Sequence, residues 1–141
     1  MAEDRFSRWF RADEHPDTKD FDYPGVYIAA RFTTAPVIVD PASSDLLYVG
    51  ECTGQSLRVR TGNFVRVLTG RSVKNPAGIH CGAATLLKVL GAPVPRTELF
   101  VAVLPCRLRP PKASALVKLR EREVLWNFVC RNDRLPLGNR E

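Results

Sequence analysis

The sequence predicts a small α/β protein, a three-stranded sheet containing antiparallel pairing and flanked by helices, in the order β-β-α-α-β-α. Three short runs rich in β-branched and aromatic residues, three apolar patterns at helical spacing, and Gly or Pro breaks between them lead to this class. Gly25-Val-Tyr-Ile-Ala-Ala-Arg-Phe32 follows Pro24 and reads as the first strand; Asp45-Leu-Leu-Tyr-Val-Gly50 reads as the second. The two are expected to pair as a hairpin through a long loop with a short extended piece at Val37 to Val39. Ser56 is placed to N-cap a helix from Leu57 to about Leu68, although Gly62 inside it costs about 1 kcal/mol relative to Ala. Cys81 to Leu90 is a short apolar helix stopped by Gly91-Ala-Pro93, Glu98 to Leu104 the third strand, and Pro110-Pro111 opens a long helix from Lys112 to about Cys130.

A chain of 141 residues suits one domain, and 45% hydrophobic with 26% charged residues excludes disordered and fibrous classes. No apolar run approaches the roughly 20 residues that span a bilayer, and the first residues lack the apolar stretch of a signal peptide. A soluble cytoplasmic protein without a membrane partner is expected. Cys52, Cys81, Cys106 and Cys130 lie 29, 25 and 24 residues apart, too far for the close ligand pairs of zinc or redox sites, and read as reduced thiols.

Charge divides the chain. Residues 1–24 carry a net −3 and read as an acidic appendage, in which Arg5 to Glu14 is expected to form a short helix presenting Phe6, Trp9 and Phe10 to the body. Residues 25–141 carry a net +9 and form the domain proper. Between Arg58 and Lys74 there are five basic residues and no acid. Arg58, Arg66, Arg71 and Lys74 are therefore candidates for a phosphate backbone, the alternative being ordinary solvated helix faces.

Two charges fall on apolar helix faces. Turning each residue of the last helix by about 100° from Glu121 puts Val117, Val124, Leu125 and Phe128 within about 60° of it, with Glu123 on the far side. A carboxylate in such a stripe needs a partner, so Glu121 is either salt-bridged to an arginine or a metal-binding or catalytic group. On the helix after Ser56, Arg60 borders the stripe of Leu57, Phe64 and Leu68, while Arg58 and Arg66 face water. Arg60 either binds a carboxylate or phosphate or lays its stem over the core edge.

Gly25-Val26-Tyr27 and Tyr48-Val49-Gly50 together resemble the paired signature of the GIY-YIG nuclease superfamily. Leu57-Arg-Val-Arg60 matches its L-x-x-R helix, Glu121-Arg-Glu-Val124-Leu125 its late glutamate helix, and Asn139 its closing asparagine, so the resemblance spans about residues 24–139. Two features depart from the pattern: the tripeptides are widely separated, and Glu51 follows Gly50 where many members carry a basic residue.

The resemblance implies a metal-dependent DNA endonuclease that hydrolyses a phosphodiester by in-line attack of water. It implies that Glu121 holds one Mg²⁺ or Mn²⁺, that Arg60 stabilises charge on the phosphate, and that Tyr27 and Tyr48 share the base and orienting roles. It further implies that Asn139 orients the glutamate or touches a phosphate, unless it is a turn residue of the tail. His80 either contacts a phosphate or the nucleophile in place of the missing lysine, or is a loop histidine without a role. No separate DNA-reading module is present, so specificity would come from a homodimer or another partner. The competing expectations are a non-catalytic nucleic-acid-binding module of the same fold and a basic protein-interaction domain.

Overall fold

A computed structural model of the chain describes residues 5–71 and 80–140. Four strands, β1 (Phe10–Arg11), β2 (Gly25–Arg31), β3 (Leu46–Cys52) and β4 (Leu99–Pro105), form one antiparallel sheet in the order β1-β4-β2-β3. Helices α1 (Leu57–Leu68) and α2 (Cys81–Leu90) pack on one face and α3 (Lys112–Asn132) on the other. The fold is thus mixed α/β, with an antiparallel sheet flanked by helices.

The central strand explains why its sequence reads as an unbroken apolar run. Covered on both faces and paired on both edges, β2 buries every residue from Gly25 to Ala30. Tyr27 and Ala29 point to the α1/α2 side, and Val26, Ile28 and Ala30 to the α3 side. Helix α1 starts where Ser56 Oγ accepts from the Val59 N–H at 3.2 Å, and α2 ends at Gly91, which takes the left-handed conformation with φ 78°. The Val37–Val39 stretch forms no strand; its Val37 and Ile38 side chains are exposed and have no strand partner. Among the described residues no helix is long and apolar enough to cross a membrane.

The expected helix over Arg5 to Glu14 is absent, and with it the count of three strands. Phe10 and Arg11 pair instead with Val101 and Phe100 of β4. The spacing of Phe6, Trp9 and Phe10 imitates a helix, yet Trp9 packs in the α3-side core and Phe10 in the α1/α2-side core, the alternation of a strand. The edge of β4 needs a partner, and satisfying its backbone outweighs local helix periodicity. The segment then crosses α1 through a single 3-10 turn, Lys19–Asp22, that buries Phe21 edge-on to Phe10. Arg58 fastens it, with Nε 3.1 Å from Asp22 Oδ1 and Nη1 2.7 Å from the Pro16 carbonyl, while Arg107 Nη2 lies 2.7 Å from Asp20.

Phe10 thus belongs to the core. Phe10→Ala is expected to lower unfolding free energy by about 3 kcal/mol in urea titration; a loss below about 1 kcal/mol would show that the segment is an appendage after all.

Candidate active site

The paired tripeptides become neighbours because β2 and β3 are adjacent and antiparallel. Tyr27 lies opposite Gly50, and Tyr48 lies opposite Ala29 two pairs along, so both rings emerge on the α1/α2 face with centroids 6.0 Å apart. The pairing also explains the glycine. A Cβ on Gly50 would sit 2.4 Å from Tyr27 Cζ, so only glycine lets the Tyr27 ring lie across β3. Gly82, in the first turn of α2, does the same for Tyr48, whose Oη would be 2.4 Å from an added Cβ.

Phe64 of α1 stacks on Tyr48 at 5.2 Å, and His80 stands edge-on to Tyr27, Tyr48 and Phe64. His80 is fully buried. It caps α2, its Nδ1 accepting from the Ala83 N–H at 3.1 Å, and its Nε2 meets the Tyr27 hydroxyl in a short hydrogen bond. Burial, helped by the Arg60 guanidinium, lowers its pKa to about 4, so the ring is neutral at pH 7. With Nδ1 accepting, the single ring proton resides on Nε2 and is donated to Tyr27 Oη. His80 therefore contacts the Tyr27 hydroxyl and is too enclosed to touch a phosphate.

Burial drives the Tyr27 pKa well above that of a free phenol; the neighbouring Tyr48 adds to the rise, and Arg60 opposes it. Tyr48 is raised by burial as well, with Arg60 lowering it and Glu121 and Glu51 raising it. Tyr48 thus stands in the fields of Arg60 on one side and two carboxylates on the other. Arg60, half-buried as its helical face requires, has no ion-pair partner among the described residues.

Glu121 occupies the gap in the α3 stripe between Val117 and Val124, with 22% of its side chain exposed, whereas Glu123 is exposed. Its pKa is raised by burial first and by the Glu51 carboxylate second, partly offset by Arg122 and Lys118. Arg122 Nε lies 4.0 Å from Glu121 on a side chain that is 83% exposed, a weak partner. Glu51 is the residue that sequence reasoning treated only as a departure. Its Oε2 is buried without a hydrogen-bond partner among the described residues. The signal was available: Glu51 lies two residues beyond Val49 and opposite Val26, both on the α3 face, so period-two alternation turns it toward Glu121.

The other expected residues are elsewhere. Both ends of the Asn139 amide bind Val49, Oδ1 accepting from its N–H at 2.9 Å and Nδ2 donating to its carbonyl at 2.8 Å, which closes the outer edge of β3 and does not reach Glu121. Arg58 secures the N-terminal segment, and Arg66 and Arg71 are exposed beside it. Lys74 lies outside the described residues. Among the described residues no group of three or more His, Cys, Asp or Glu side chains comes together as a metal centre. Compared with known proteins, the chain matches no family model, no curated protein sequence and no solved structure.

The depressed His80 pKa has a consequence for stability. As pH falls below about 6.5 the unfolded chain takes up the proton first, while the folded ring resists until about pH 4, so folded stability is lost through that interval and not further below it. Urea titrations between pH 7 and 4 should show this loss, of the order of 3 kcal/mol for a shift of this size. It should shrink in His80→Asn, which keeps a side-chain cap. An equal acid loss in the variant would show that His80 is not its source.

Proposed function

We propose that the chain is a metal-dependent DNA endonuclease of the GIY-YIG kind, hydrolysing phosphodiester bonds by in-line attack of water. One observation carries the reading. Tyr27, Tyr48 and Arg60, distant in sequence and chosen by motif, meet around one buried hydrogen-bonded cluster, and Glu121 acts electrostatically on the same Tyr48. A structural aromatic core has no use for a half-buried arginine and carboxylate at its margin.

The donor set fits a divalent cation. The Glu51 carboxylate opposes ionisation of Glu121, and one buried Glu51 oxygen lacks a hydrogen-bond partner among the described residues, an arrangement that a hard cation with oxygen ligands relieves. Two carboxylates with the remaining ligands supplied by water is ordinary for Mg²⁺, so the lack of a third ligand among the described residues is no obstacle. Bound there, Mg²⁺ or Mn²⁺ would act as a Lewis acid on a phosphate oxygen.

The remaining roles belong to the chain. Arg60 stabilises the negative charge that gathers on the phosphate oxygens as water attacks. Tyr27 begins as a phenol, because burial opposes its ionisation, and accepts the His80 Nε2–H, which leaves its own proton for another acceptor. Tyr48, less buried than Tyr27 and with Arg60 favouring its phenolate, is the tyrosine within reach of water; it takes a proton from water only after losing its own, and cleavage should accelerate as pH rises above neutrality. His80 is a positioning residue, holding the Tyr27 oxygen. Cys52 and Cys106 are buried and unpaired, as suits work in a reducing cytoplasm. One such site cuts one strand, so a double-strand break takes a second protomer or a second event.

The reading is tested by incubating supercoiled, linear and branched DNA with Mg²⁺, Mn²⁺ or EDTA. Cleavage should need the metal and fall about a hundred- to a thousandfold in Arg60→Ala and in Glu121→Ala. Glu123→Ala should leave it nearly unchanged, and Glu121→Ala should keep or raise thermal stability because an unfavourable half-buried charge is gone. Salt-dependent DNA binding without cleavage under any metal would replace this reading with a non-catalytic binding module.

A further inference from the structure

Helix α3 carries two apolar stripes, and the fold uses one of them. Ala113, Val117, Val124 and Phe128 bury against the sheet. On the opposite side, about 160° to 180° round the helix from Val117 and Phe128, Leu119 and Trp126 stand 55% and 68% exposed. Their seven-residue spacing points both in one direction to within about 20°. Exposed Ala115 and exposed Cys130 extend the row by a turn at each end. A helix that covers one face of a sheet needs a single apolar stripe and carries polar residues opposite it. Of the other large apolar side chains exposed among the described residues, no two share a helix.

The charges beside the second stripe indicate its occupant. Arg122 lies about 50° to one side of the Leu119–Trp126 midline and Glu123 about 50° to the other. Both side chains are exposed; Arg122 has only the 4.0 Å contact with Glu121, and Glu123 forms no ion pair among the described residues. We propose that this face of α3 docks on the same face of a second copy of the chain, the two helices running parallel about a two-fold axis. In a parallel pair each flank of one helix meets the opposite flank of the other. Arg122 then faces the partner's Glu123, and Glu123 faces the partner's Arg122. Leu119 and Trp126 meet their own counterparts between these two ion pairs, an apolar centre with a charged rim. An antiparallel pair that set Leu119 against the partner's Trp126 would bring like flanks together. Arg122 would then face arginine and Glu123 glutamate, two repulsions in place of two attractions. Glu121 lies about 160° round the helix from Leu119 and outside the contact, so the inference does not rest on the nuclease reading.

Sedimentation of the full chain over a range of concentrations tests this. A reversible monomer–dimer equilibrium in the micromolar range is expected, since one helix face makes a small contact. Trp126→Ala and Leu119→Ala should each weaken it about tenfold or more, because the two-fold axis counts each loss twice. Neither should lower thermal stability, as both side chains lie outside the core. Arg122→Glu should weaken the dimer by a similar factor, and adding Glu123→Arg to it should restore the original affinity. The orientation is read with a short bismaleimide. Parallel pairing sets Cys130 beside the partner's Cys130, so the reagent should join two chains, and the product should survive Cys81→Ser and vanish in Cys130→Ser. A chain that stays monomeric throughout, a dimer indifferent to Leu119 and Trp126, a charge swap that fails to restore it, or a dimer not joined through Cys130 would overturn the proposal.

Discussion

The structure depends on how it buries one phenol. Tyr27 sits at the middle of the central strand, wholly enclosed, and its hydroxyl must find a partner inside the protein. That partner is His80, and the requirement propagates outward. His80 caps α2 by accepting at Nδ1, and in the neutral ring this leaves the proton on Nε2 for Tyr27. Capping there sets Gly82 beneath the Tyr48 hydroxyl, and a glycine at position 50 is demanded by the Tyr27 ring itself. Strand pairing, a helix start and two glycines thus answer to a single buried oxygen.

Around this cluster charge is arranged unevenly. Arg60 sits on the α1 side and favours ionised tyrosine, while Glu51 and Glu121 approach from the α3 side and oppose it. Tyr48 feels both because β3 is the outermost strand, where side chains from the two faces of the sheet come within electrostatic range of one another. The C-terminal tail covers that edge beside it, Gly138 N–H donating to the Leu47 carbonyl and the Asn139 amide pairing with Val49. Asn139 thereby serves the sheet, blunting an edge strand next to the residues proposed to act.

Local physics made much of this readable in the chain. Leu57–Leu68 begins at a serine cap and Cys81–Leu90 ends at a left-handed glycine, and because the helices are regular the helical wheel put Glu121 within the apolar stripe of α3 and Arg60 at the border of that of α1, where each is partly buried. What local physics could not supply was the outcome of long-range competition. The Phe6, Trp9 and Phe10 spacing suits a helix, and only the unpaired edge of β4, some ninety residues away, makes it a strand. The partners of Asn139 and of His80 lie 90 and 53 residues distant, so neither contact leaves a local trace. Glu51 is different in kind, since alternation along β3 already pointed it at α3.

The Tyr27–His80 pair can be examined directly by recording the ring nitrogens of His80 by NMR as pH is lowered from 8 to 4. The account requires the neutral tautomer protonated on Nε2 and bare on Nδ1, with no uptake of a second proton until pH approaches about 4. A ring protonated on Nδ1 at neutral pH, or one that titrates near 6.5 like a free histidine, would contradict it.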